Sequence, residues 1–320
     1  MPNASMAPTY QSGNASVPAA SGGADAGARG TALDFLRLLA MEVSKGTVDL
    51  PCFPDVVIRI RDALADPNAT IDRTVAIVGN EPRLAARLLQ TANSAAFNLS
   101  GKPLTDLRSA VTRLGQQLVQ GAAVAYAVQQ MKHAESLRSI AKPLDELWRE
   151  CISVASVCQA VARHTKVTPD EAFLTGLLHG IGRLYIMVRA VGHTAQFGND
   201  QALLDLIADW HGPIGKAVLE NWGFAEQMCN AVGDQDDHER RWIHDSELSD
   251  ILIAGVVLAE ALDSPAALNN SAALDNSTSR AFAKDGISAF QHIGLTEHDC
   301  AAILTHAKDH LGLLHDALGA

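Results

Sequence analysis

The sequence predicts an all-α fold. Three observations predict it. Ala and Leu dominate the 320 residues and only 5% are aromatic, and both residues lose little side-chain freedom in a helix. Apolar residues recur at three- and four-residue steps in segment after segment, which places them on one helix face. No segment shows the period-two alternation of a half-buried strand. With 48% hydrophobic residues, the chain is long enough for one large core or two small ones.

Residues 1–30 are rich in Ala, Ser, Gly, Asn and Pro without apolar periodicity, and read as a disordered tail. Leu33, Leu36, Leu39 and Ala40 mark an extra N-terminal helix over residues 31–46, with Gly46 able to end it. Leu50-Pro51-Cys52-Phe53-Pro54 is an extended, turn-rich entry, because proline disfavours helix in the residue before it. A helix over residues 55–64 closes at Asp66-Pro67-Asn68, and Asp72 opens a short one. Pro82 stands in a first turn, where its missing N–H costs nothing. Leu84, Ala85, Leu88, Leu89 and Ala92 form an apolar stripe with Arg83, Arg87 and Gln90 opposite. Asn93 and Ser94 read as helix-ending residues. After the Ser100-Gly101-Lys102-Pro103 loop, Thr105 is placed to cap a helix whose core face is Leu107, Val111, Leu114 and Leu118.

Residues 133–143 read as a connection between two helical units. Leu147, Cys151, Val154, Cys158 and Val161 then share one face of a long helix. Thr168-Pro169-Asp170-Glu171 starts the next, and further helices are expected over 201–209, 213–222, 224–232 and 247–262. Residues 264–280 read as a flexible loop, followed by two or three C-terminal helices.

The formal charge of −11 disfavours nucleic acid and anionic lipid as partners. The acid excess lies in residues 133–320, whereas 51–132 is slightly basic. The five cysteines include no CxxC pair, which fits a reducing compartment. No leader peptide is visible, and the longest apolar run, Ile251 to Ala259, falls far short of the ~20 residues of a membrane helix. Cytoplasmic location without membrane insertion is the expectation.

One stretch carries a chemical pattern: Leu174-Thr175-Gly176-Leu177-Leu178-His179-Gly180-Ile181-Gly182-Arg183-Leu184. It resembles the signature of HD-type metal phosphohydrolases, in which adjacent His and Asp grip a divalent metal that activates water. Other blocks narrow the resemblance. Leu50-Pro51-Cys52-Phe53-Pro54, Asp66-Pro67-Asn68, Leu88 to Ser94, Val111-Thr112-Arg113-Leu114-Gly115, and His211 with Gly215 and Glu220 to Phe224 resemble, in order, the blocks of HDOD domains. The resemblance spans residues 47–265. It implies a two-part helical domain, an N-terminal bundle over about 47–132 and an HD-like bundle over 144–265, with 266–320 outside it.

The same alignment of motifs shows departures. The Asp position holds Gly180, which has no side chain to ligate with. Glu150 stands where the upstream His is expected and Glu260 where the downstream Asp is expected; of the motif's ligands only His179 is unchanged. Adjacent histidines typical of the family are replaced by Asp234-Gln235, with His238 nearby. Arg183, His211, Asp234 and His238 are candidate pocket residues around this vestigial set.

What the resemblance implies is a non-catalytic bacterial signalling or regulatory module that works through protein contact. Its expected partners are cyclic di-GMP turnover proteins, response regulators or sensor kinases. No cofactor is expected; the residual alternative is a weakly held divalent metal on Glu150, His179 and Glu260, making a phosphodiesterase or nucleotidase. A nucleotide-sensing pocket is the third reading. The structural readings stand beside these. Glu150 flanks the apolar stripe and needs a partner when partly buried, which Arg183 or His179 can supply. His179 is more often a satisfied core histidine than a ligand. His306 and His310 are four apart and able to share a metal only if a third ligand exists.

Overall fold

The computed structural model describes residues 22–45, 48, 70–94, 97–98, 101–196, 200–238, 247–262, 279 and 288–318. Among these residues there is no strand and there are twelve α-helices. They are α1 (Gly22–Ser44), α2 (Ile71–Gly79), α3 (Pro82–Asn93), α4 (Leu107–Lys132), α5 (Ala141–Val161), α6 (Pro169–Leu178), α7 (Ile181–Ala190), α8 (Asp200–Asn221), α9 (Glu226–Gly233), α10 (Glu247–Ala259), α11 (Ala289–His292) and α12 (Glu297–Leu318). The Leu-Pro entry, the helix read over 55–64, Asp66-Pro67-Asn68 and nearly all of the 264–280 loop lie outside the described residues.

The N-terminal bundle is α2, α3 and the first part of α4. Leu84, Leu88 and Ala92 of α3 and Val111, Leu114 and Leu118 of α4 are buried, so the two apolar stripes face each other. Asn93 fastens the loop after α3 like a short backbone ladder: its Nδ2 donates to the Leu104 carbonyl at 2.8 Å and its Oδ1 accepts from the Leu104 N–H at 2.7 Å. Arg113 donates to the Ala92 carbonyl at 3.2 Å, satisfying one of the open acceptors at the C-terminal end of α3. Asp106, and not Thr105, caps α4 by accepting from the Ser109 N–H at 2.8 Å. Aspartate at that position also meets the positive end of the helix dipole. At Gly115 α4 bends, with φ 74° and ψ 168°, a conformation that is essentially glycine-only.

The larger bundle is wrapped around α5. This helix is buried on nearly every side, from Leu144 and Trp148 through Ile152, Ala155 and Cys158, because α6, α10 and α12 pack on different faces of it. All the buried apolar residues of the two bundles form one continuous core. Thr168 caps α6, its hydroxyl accepting from the Glu171 N–H at 3.3 Å.

Two boundaries differ from the sequence reading. Helix α1 begins at Gly22 and not at Thr31; the Ala-rich stretch from Ala24 to Arg29 has helix propensity even without an apolar stripe. The expected break between 209 and 213 does not occur, and α8 runs through Pro213. Asp209 and Pro213 are exposed, so water can serve the carbonyl that loses its intrahelical donor. The 133–143 connection contains a 3₁₀ helix, Glu135–Ile140.

Helix α1 packs against α8. Phe35 and Leu39 are fully buried. Glu42 accepts from the Tyr185 hydroxyl at 2.8 Å and pairs with Arg189, both on α7.

Candidate functional site

The site forms where α6 turns into α7. His179 ends α6, Gly180 opens α7, and Arg183 follows one turn later on the same side. The first turn of α7 lies directly against α8. A Cβ on Gly182 would run into the His211 carbonyl and sit 2.7 Å from the Gly215 nitrogen, so only glycine permits this crossing. That close approach fixes where Arg183 is presented.

Arg183 makes a two-pronged contact with Glu150 of α5. Nη1 donates to Oε2 at 2.9 Å and Nη2 to Oε1 at 2.6 Å, the planar fork geometry that guanidinium and carboxylate share. Nη2 also lies 2.9 Å from His179 Nε2. His179 is fully buried, and its Nδ1 lies 2.7 Å from the Gly176 carbonyl. With Nδ1–H donating to that carbonyl, Nε2 presents its lone pair to Arg183. Burial and the Arg183 charge oppose a proton on Nε2, while the Glu150 carboxylate, 3.5 Å from Nε2, favours one. The hydrogen bonds decide for the neutral ring in this arrangement. A proton on Nε2 would set two donors against each other unless Arg183 moved.

Burial raises the Glu150 pKa, but the two hydrogen bonds from Arg183 and the Arg183 charge overcome this and hold it at about 2. Gln235 donates to the His179 carbonyl at 3.2 Å and to the Val232 carbonyl at 2.8 Å. Above the Glu150–Arg183 pair opens a groove of about 630 Å³, with Leu147, Ser153, Met187, Ile207 and Leu311 among its walls.

The place of a metal-binding aspartate is filled. A Cβ on Gly180 would lie 2.7 Å from Cys151 Sγ and 2.8 Å from Leu147 Cδ1. The remaining space is an apolar void of about 20 Å³ lined by Leu144, Leu147, Trp148, Cys151 and Leu184, without the polar partners an ion or water needs. Glu260 is exposed in the turn after α10. Among the described residues no three His, Cys, Asp or Glu side chains gather closely enough to hold a metal. Glu150, His179 and Glu260 therefore do not form a ligand set, and the residues present do not fit the metal of the HD pattern.

A family model for the HDOD domain matches residues 50–238. The chain belongs to the HDOD family. Its fold is similar to that of a candidate metal-dependent phosphohydrolase from Shewanella amazonensis SB2B, at 25% identity and a TM-score of 0.59, over 86% of this chain and 99% of that one. It is also similar to an HDOD domain protein with unknown function from Geobacter sulfurreducens, at 21% identity and a TM-score of 0.55, over 89% and 98% of the two chains. A candidate signal transduction protein from Marinobacter aquaeolei VT8 matches at 18% identity and a TM-score of 0.57, over 91% of this chain and 65% of that one. An uncharacterized protein of Treponema pallidum is 24% identical over 208 residues, which are 61% of this chain and 39% of that protein. The HDOD chain thus spans about two-fifths of that curated relative's length.

The other pocket residues named from the sequence fall into separate roles. His211 pairs through Nε2 with Asp236 at 3.0 Å, and its Nδ1 is buried without a partner among the described residues. Burial raises the Asp236 pKa, but the hydrogen bond and charge of His211 outweigh it and leave it lowered. Asp234 caps the C-terminal end of α9, its N–H donating to the Asn230 carbonyl at 2.9 Å. His238 accepts at its carbonyl from the Ser288 N–H and hydroxyl at 2.9 and 3.2 Å. His306 Nε2 lies 2.8 Å from Arg163 Nη1, and the His310 side chain lies outside the described residues. Sequence reasoning missed Cys151 as the filler of the Gly180 space, and Asp236 and Gln235 as partners. Only the replacement of two family histidines by Asp234-Gln235 signalled Gln235.

Proposed function

We propose that this HDOD protein is a non-catalytic signalling module that acts by binding another protein, in a cyclic di-GMP or two-component context. The observation that carries the reading is the Arg183 guanidinium, which takes up both the Glu150 carboxylate and the His179 lone pair. A hydrolase of the HD pattern needs those groups for metal. The charges of Glu150 and Arg183 cancel, so the groove floor has no net positive charge with which to attract a phosphate; this weighs against nucleotide sensing. Protein contact is supported by the large apolar side chains exposed on two helices that pack together: Leu33 and Met41 on α1, Leu204 and Trp210 on α8. Bacterial signalling is supported by family membership, with the Marinobacter protein's signal-transduction description as fold-level analogy.

The test has two arms. Purified protein is assayed against cyclic di-GMP and nucleoside phosphates with Mn²⁺, Fe²⁺ or Mg²⁺; turnover abolished by Glu150→Gln refutes the reading. Purified response regulators, sensor kinases and cyclic di-GMP enzymes from the native cell are then measured for binding. Binding to one of them that is lost in Leu204→Asp or Trp210→Ala, with the melting temperature unchanged, supports the reading.

A further inference from the structure

We infer that Arg183 is a resident cation, fixed in the place that a divalent metal would take between Glu150 and His179, so that this site is complete without metal. Three features of the geometry carry this. The contacts of the guanidinium duplicate those of a chelated ion. It engages both oxygens of one carboxylate, at 2.9 and 2.6 Å, and the imidazole lone pair at 2.9 Å. Arg183 holds the only lone pair of His179 and stands between it and both Glu150 oxygens, so a metal ion bridging the two residues would have to displace the guanidinium. His179 cannot turn its other nitrogen outward, because Nδ1 is engaged by the Gly176 carbonyl at 2.7 Å in a fully buried setting.

The second feature is how Arg183 is held. It cannot swing aside as a unit with its helix, since α7 is pinned at Gly182 against His211 and Gly215 of α8. Its Nε is buried without an acceptor among the described residues. The guanidinium thus accepts one unsatisfied donor in order to keep the fork on Glu150 and His179. A lysine at 183 would offer one ammonium to two acceptors without the planar fork.

The third feature is the Gly180 side of the site. The aspartate that would complete a metal's coordination has been replaced by an apolar void and the Cys151 sulfur. A cation covalently attached to α7 needs no ligand from that side. A metal does, since two protein ligands fall below the three of an open site.

This inference concerns the site on which the signalling reading rests, but it fails separately. Bound metal in the wild type overturns the resident cation. Phosphoester turnover overturns the non-catalytic reading.

The experiment compares wild type, Arg183→Ala, Arg183→Lys and the double variant Glu150→Gln/Arg183→Ala. Metal content is measured by mass spectrometry after purification without chelator, and melting temperature with and without guanidinium, Mn²⁺, Zn²⁺ or EDTA. Wild type is expected to carry less than stoichiometric metal, with a melting temperature that neither EDTA nor added metal moves. Arg183→Ala is expected to melt several degrees lower, because it leaves Glu150 and His179 without their cation. Guanidinium at low, non-denaturing concentration should recover part of that loss in Arg183→Ala and nothing in wild type. The double variant should melt above Arg183→Ala, and Arg183→Lys should fall between alanine and wild type. Should Arg183→Ala fail to fold, the lysine variant and the wild-type metal content still decide. Stoichiometric metal in wild type, lost in Glu150→Gln, overturns the inference. So does an Arg183→Ala variant that is as stable as wild type.

Discussion

Restoring aspartate at position 180, the residue the HD pattern calls for, should damage this protein and not rebuild a metal site. The backbone at Gly180 has φ −81°, which any residue adopts, so the cost comes from contacts alone. The new Cβ meets Cys151 Sγ at 2.7 Å and Leu147 Cδ1 at 2.8 Å, distances that force side chains or helices apart. Overpacking of this kind costs roughly 1–3 kcal/mol. A carboxylate added to the apolar void beside Trp148 and Leu184 brings a further penalty of about 1–3 kcal/mol for an unpaired polar group, or a raised pKa in its place. The opposing gain is small, because Gly180 is the N-cap of α7 and aspartate there improves on glycine by only a few tenths of a kcal/mol.

Gly180→Asp should therefore lose about 2–6 kcal/mol in urea denaturation, whereas Gly180→Ala carries the steric part alone at about 1–3 kcal/mol. Adding Cys151→Ala to Gly180→Ala should recover part of the loss. An aspartate variant as stable as wild type, or one that acquires stoichiometric metal, would refute the reasoning that Cys151 and Leu147 have closed this position.

Three other outcomes follow from the same structure. The Glu150 carboxyl is held at about 2 in the fold against an ordinary value near 4.5, so its contribution is fully present above pH 4.5 and is lost as pH falls towards 2; Glu150→Gln should flatten that acid limb in a stability–pH series from 2.5 to 6. Gly115→Ala should cost about 1–3 kcal/mol by urea denaturation, since the strain is in the φ 74° backbone and nothing lies within 4 Å of the added Cβ. Glu42→Ala should speed hydrogen exchange in α1 without altering the melting transition of the rest, because Glu42 ties α1 to Tyr185 and Arg189 of α7.

The all-α class, and most helices of the two bundles, were legible because apolar periodicity records which face is buried. Leu84, Leu88 and Ala92 are an example: each repeats at four residues and each is fully buried. The ends of helices were less legible. Thr105 and Asp106 are both good caps, and only the local backbone chooses between them. Pro213 reads as a break, and only its exposure explains why α8 continues. At the site, the His179-Gly180 pair and the distant Glu150 were visible as positions in a pattern. Their partners Cys151 and Gln235, and the Asp236 partner of His211, were not, because contacts between α5, α6, α8 and the turn after α9 depend on helix packing that no local spacing encodes.

The site residues depend on one another. Glu150 is tolerable half-buried on α5 because Arg183 neutralises it, and Arg183 reaches it because Gly182 lets α7 sit hard against α8. Gly180 lets Leu147 and Cys151 close on α7, which removes the third wall of an ion site. No single reversal reopens that wall. An aspartate at 180 meets the closed packing of α5, and a histidine at 150 would face the guanidinium with a neutral ring in place of a carboxylate. A metal centre here would require changes at 150, 180 and 183 together with room made at Cys151 or Leu147. The groove of about 630 Å³ above the pair keeps Glu150 and Arg183 on its floor, where their opposite charges cancel.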